Sequence, residues 1–124
     1  MLPLSFEFYP PKTDDQRIQL DRTARKLAVH APEYVSCTFG AGGSTLSHTP
    51  ETVRRLKQQH GLDAAPHLSC VGGSREEIRE LLKLYRAIGC NRIVALRGDL
   101  PSGMGHPGDL RYAADLVAFI RSEF

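Results

Sequence analysis

The chain has 124 residues, 41% of them apolar and 24% charged, enough for one small domain with a modest core. Its 16 basic and 14 acidic residues leave a formal charge of +2, so the bulk charge points neither to nucleic acid nor to a lipid surface. No apolar run approaches a membrane span, no charged-then-apolar leader opens the chain, and the three cysteines, Cys37, Cys70 and Cys90, read as reduced core thiols of a cytoplasmic protein.

The elements alternate from the start. A strand over Ser5–Tyr9, "SFEFY", is closed by Pro10-Pro11, and a helix follows over Asp14–His30 with Thr13 as its N-cap. A second strand covers Tyr34–Phe39. The loop "GAGGSTLSHTP" leads to a helix over Pro50–His60, with Pro50 in its first turn and Gly61 as its stop. A third strand, Pro66–Val71, precedes a helix over Ser74–Ile88 that opens on the capping box "SREE" and ends at Gly89. The fourth strand, Arg92–Gly98, runs into "DLPSGMGHPGD", and a last helix begins near Leu110.

Repeated βα units predict a parallel sheet with right-handed crossovers, either an open doubly wound sheet or part of a (β/α)8 barrel. Strand parity favours the barrel. One set, Phe6, Phe8, Val35, Cys37, Phe39, Leu68, Cys70, Val94 and Leu96, is apolar, as a helix-covered surface should be. The other set holds Ser5, Glu7, Tyr9, Ser36, Thr38, His67, Ser69, Ala95, Arg97 and Asp99. A doubly wound sheet wants apolar residues on both faces, whereas a barrel places polar residues on the wall below its catalytic mouth. Four units make about half of the ~250 residues of an eight-unit barrel, so the expectation is a half-barrel that forms a single domain.

Glu7 stands between Phe6 and Phe8. An acid among aromatics either pairs with a nearby Arg or Lys or is held protonated, ready to donate near neutrality. "TFGAGGST" has neither a P-loop Lys nor the full dinucleotide-binding glycine spacing, so anion binding and a flexible connection both stay open. A lone His67 is more often structural than catalytic, and no neighbour stands at metal-ligand spacing, so no metal is expected. In "ALRGDLP", Arg97 and Asp99 flank Gly98 and suit either an ion pair or a polar heterocycle.

Four segments, "SFEFYPPKT", "VSCTFGAGGST", "APHLSC" and "IVALRGDLP", resemble in order and spacing the N-terminal half of methylenetetrahydrofolate reductase. The resemblance implies a (β/α)8 flavoprotein that takes a hydride from NADH or NADPH onto FAD and reduces 5,10-methylenetetrahydrofolate to 5-methyltetrahydrofolate for methionine synthesis. By position, Glu7 matches the acid that protonates the folate nitrogen. Thr38, Phe39, Ala41, His67, Arg97, Gly98, Asp99 and Tyr112 match flavin contacts, and Asp99 also lies near the pterin. Phe39 stands where many relatives have Tyr. The family suggests a homo-oligomer. Its later strands, absent here, supply further contacts, so the expectation is an incomplete copy, inactive alone and prone to self-association. The rival readings are a non-enzymatic half-barrel that serves as a binding module and a different barrel enzyme with Glu7 as a base.

Overall fold

The computed structural model describes residues 2–39, 48–70, 73–97 and 109–124. Strands and helices alternate: β1 (Ser5–Phe8), α1 (Asp14–Ala28), β2 (Tyr34–Cys37), α2 (His48–Gln58), β3 (Ala64–Ser69), α3 (Arg75–Ile88), β4 (Val94–Leu96) and α4 (Ala113–Glu123). The helix starts have local causes. The Thr13 hydroxyl accepts the Gln16 N–H at 3.1 Å, and the Ser74 hydroxyl accepts the Glu77 N–H at the same distance. Gly89 closes α3 with a φ of 99°, a conformation that an L side chain adopts only under strain. α2 starts two residues before the predicted Pro50, because a proline within the first turn forfeits no helical hydrogen bond.

The strands lie in the order β1-β2-β3-β4, all parallel, as in the first four βα units of a (β/α)8 barrel. The helices pack on one face of this sheet. Phe8, Val35, Cys37 and Ala64 meet Leu20 and Ala24 of α1, Val53 and Leu56 of α2 and Tyr85 of α3 in one buried cluster. Leu68 and Cys70 meet Ile78 and Leu82 of α3 and Leu116 and Phe119 of α4 in a second. One-sided coverage is what separates a barrel wall from a doubly wound sheet. All three cysteines are free thiols, with Cys37 and Cys70 buried on the helix side.

The parity reading fails in β4. The register pairs His67 with Val94, Leu68 with Ala95 and Ser69 with Leu96. Ile93 and Ala95 accordingly pack against the helix-side core, while Val94 and Leu96 share the face of His67 and Ser69. The opposite face therefore carries Glu7, Ser36, His67 and Ser69 in β1 to β3, with Ala65 between them, and is apolar in β4. Arg97 takes the parity of Ala95 rather than that of Glu7. A short apolar run such as "IVAL" gives no alternation from which to read its facing.

Two polar clips fix the helix layer and the lower rim. Asp21 of α1 accepts from Arg55 Nε at 2.9 Å and from its terminal nitrogen at 2.6 Å, and lies 2.8 Å from His60 Nε2. These bonds, led by the one from Arg55, hold the Asp21 carboxyl well below the usual carboxylate range. At the start of the strands, Asp63 accepts from Arg92 Nε at 2.9 Å, and the Arg92 guanidinium lies 5.1 Å from the centre of the Tyr34 ring.

Candidate active site

The upper end of the open face brings together three of the residues singled out from the sequence, Glu7, Thr38 and His67. In β1, Phe6 and Phe8 turn to the helix side and Glu7 to the other. The aromatic pair that suggested a walled-in acid thus lies behind the sheet, and the Glu7 side chain is 56% exposed. This corrects the expectation of an acid enclosed by aromatic rings: alternation along the strand puts neighbours on opposite faces. Among the described residues its partner is neither an arginine nor a lysine. Glu7 Oε1 lies 3.3 Å from His67 Nε2, reached across the intervening strand.

His67 is the buried member of this pair, with 11% of its side chain exposed. Its Nε2 also lies 3.1 Å from Ser36 Oγ. Burial pushes the imidazole below its ordinary value, and the negative charge of Glu7 opposes that shift. His67 is therefore mainly neutral at pH 7. Ser36, itself buried, was noted only as a member of the polar set; its register partner Glu7 was the signal that could have singled it out.

Thr38 and Phe39 follow β2. The Thr38 N–H donates to the Phe8 carbonyl at 2.9 Å, which ties the ends of β1 and β2 together. The buried Thr49 of α2 donates its hydroxyl to the Thr38 carbonyl at 2.9 Å and stands 3.4 Å from that of Phe39. Thr49 is a positioning residue that the sequence reading missed; its place beside Pro50 at a helix start was the available hint. Glu7 and Thr38 also line one cleft of about 610 Å³, together with Tyr9 and, from α1, Gln16 and Leu20.

Arg97 and Tyr112 form a second group. Ser69 Oγ donates to the Arg97 carbonyl at 2.8 Å and fixes the backbone beyond β4. The Arg97 guanidinium lies 5.7 Å from the centre of the exposed Tyr112 ring. Tyr112 is the N-cap of α4, and its N–H donates to the Asp115 carboxylate at 2.9 Å. Ala41, Gly98 and Asp99, also singled out from the sequence, lie outside the described residues.

A profile of the family "Methylenetetrahydrofolate reductase" matches residues 2–124, almost the whole chain. The chain belongs to the methylenetetrahydrofolate reductase family. It is 42% identical over 118 residues to a 5,10-methylenetetrahydrofolate reductase of Pectobacterium carotovorum subsp. carotovorum, and 39% identical over 118 residues to that of Escherichia coli (strain K12). Each match covers 95% of this chain and 39% of the relative. The Arabidopsis thaliana relative named methylenetetrahydrofolate reductase (NADH) 1 is 36% identical over 124 residues, a match that covers 97% of this chain and 21% of the relative. The chain thus spans about 39% of the length of its bacterial relatives. Among the described residues no helix is long and apolar enough to cross a membrane.

Proposed function

We propose that this chain carries the proton-donating acid and part of the flavin site of a reductase. The reaction converts 5,10-methylenetetrahydrofolate to 5-methyltetrahydrofolate with NADH or NADPH, through FAD. The observation that carries this reading is the place of Glu7: an exposed acid at the upper end of the uncovered sheet face, 3.3 Å from the Nε2 of a buried imidazole, in a chain matched to the family over residues 2–124.

The side chains present suit FAD. Arg97 offers a cation beside an exposed aromatic ring, which fits a phosphate next to a flat heterocycle. The hydroxyl of Thr38 and the imidazole of His67 add hydrogen-bonding groups on the sheet side. By resemblance Phe39, Ala41, Gly98, Asp99 and Tyr112 complete this part of the site, with Asp99 also facing the folate. When bound, FAD supplies a route for hydride from the nicotinamide to the folate. Glu7 gives its proton to the folate nitrogen as the carbon–nitrogen bond of the five-membered ring breaks, and is left as a carboxylate. Its exposure lets that carboxylate recover a proton from water.

The test is Glu7→Gln, which keeps the shape and removes the acid, in a barrel that includes the strands the relatives carry beyond this span. Flavin reduction by the nicotinamide needs no folate proton and should stay within a few fold of the parent. Folate reduction should fall ~100- to 10,000-fold, as for loss of a general acid. A parallel loss of both half-reactions would make Glu7 a structural or binding residue.

A further inference from the structure

We infer that Glu7, His67 and Ser36 act as one proton-coupled unit, in which His67 and Ser36 are positioning residues that couple the protonation of Glu7 to the tautomer of a buried imidazole. The inference deepens the reading of Glu7 as the proton donor and rests on it. Its basis is geometric. The register sets Glu7 beside Ser36 and Ser36 beside Ala65. His67, two residues past Ala65 on the same face, brings Nε2 to within 3.1 Å of Ser36 Oγ and 3.3 Å of Glu7 Oε1. Three adjacent strands thus place two oxygens around one nitrogen.

That nitrogen cannot serve both oxygens in the same way. In a neutral imidazole Nε2 carries either a proton or a lone pair. An ionised Glu7 only accepts, so it requires the proton on Nε2. A protonated Glu7 donates its O–H to the Nε2 lone pair, which requires the imidazole proton on Nδ1. The Ser36 hydroxyl both donates and accepts, so it can follow either state. Transfer of the Glu7 proton to a substrate therefore asks the imidazole to change tautomer, with solvent exchanging the proton at Nδ1. Burial assigns the roles: His67 is poorly placed to charge, whereas Glu7 is more than half exposed and faces solvent and ligand.

Among the described residues the surroundings add little charge. β1 contributes Glu7, β2 the uncharged Ser36, and β4 the apolar Val94 and Leu96 on the same face. Glu7 is the charged group that acts on the His67 imidazole, and burial opposes it.

The test reads the imidazole directly, without turnover, by nitrogen-15 NMR of His67 in the chain from residue 1 to 124. Glu7→Gln keeps an exposed side chain of the same shape. It should lower the His67 titration midpoint by about 1 pH unit, the low end of the effect of an opposite charge within 6 Å. Ser36→Ala removes one of the two oxygen partners of Nε2 and should shift its resonance, while the effect of Glu7→Gln persists in the double variant. An unchanged midpoint in Glu7→Gln, or an unmoved Nε2 resonance in Ser36→Ala, would overturn the unit. If the coupling holds while Glu7→Gln spares folate reduction, the unit stands and the reading of Glu7 as the folate acid falls.

Discussion

The two faces of the sheet differ in what they are built to exclude. On the helix side Val35, Cys37, Ala64, Leu68 and Cys70 are sealed under four helices and make no use of charge. On the other side β1 to β3 present Glu7, Ser36, His67 and Ser69, whose polar atoms meet partners from neighbouring strands, with Val94 and Leu96 as an apolar flank. Residues one apart along a strand thus take opposite tasks. Phe8 holds a helix, and Glu7 beside it meets solvent. Apolar packing is concentrated on one side and polar side chains on the other, so substitutions on the two faces should fail in different ways.

The sharpest contrast lies between neighbouring strands. Leu68→Ala empties a filled helix-side position and should cost about 2–5 kcal/mol, read from the shift in urea midpoint. Leu96→Ala, on the half-buried flank of the other face, should cost less than half of that. Equal costs would mean that the second face is sealed as tightly as the first. Next comes the clip between α1 and α2. Asp21→Asn removes a carboxylate bonded to Arg55 and His60 and should cost about 1–3 kcal/mol at neutral pH. The folded Asp21 titrates below its unfolded value of 3.8, so its contribution is complete above that value and is lost as the pH falls through the folded one. Asp21→Asn should therefore flatten the acid limb of a stability–pH curve, and an unchanged limb would remove Asp21 from that role. The smallest effect concerns Tyr85. Its hydroxyl is buried in the helix-side core and, among the described residues, has no hydrogen-bond partner. Tyr85→Phe should leave the chain as stable or up to about 1 kcal/mol more stable. A loss of stability would reveal a partner for that hydroxyl.

The order of the elements, the caps at Thr13 and Ser74 and the one-sided helix cover were legible in the sequence, because local hydrogen bonding and alternation set them. Facing was legible where polar and apolar residues alternate, as in "SFEF" and "YVSC". It was lost in β4, where consecutive apolar residues carry no period and only the register with β3 decides. The candidate site was legible as a list of residues but not as a set of pairs. That Glu7 meets His67 across β2 depends on strand order and on the reach of the imidazole, which residue type alone does not give. Thr49 escaped notice for the same reason, since its role is to hold the carbonyls of Thr38 and Phe39 from a different element.

The division between the faces is tested most directly by the reactivity of two thiols one residue apart in register. Cys37 pairs with Phe8 on the helix side, and burial, helped by the charge of Glu7, pushes its thiol up to about 12. A thiol introduced by Glu7→Cys would occupy the exposed position beside it. Both are labelled with a thiol reagent at pH 8 under native conditions and resolved by peptide mass. The introduced thiol should react at least ~1,000-fold faster than Cys37, because the thiolate is the reactive form and Cys37 is both buried and protonated. Cys37 labelling at a comparable rate in the folded chain would contradict the sealed helix side and, with it, the assignment of chemistry to the opposite face.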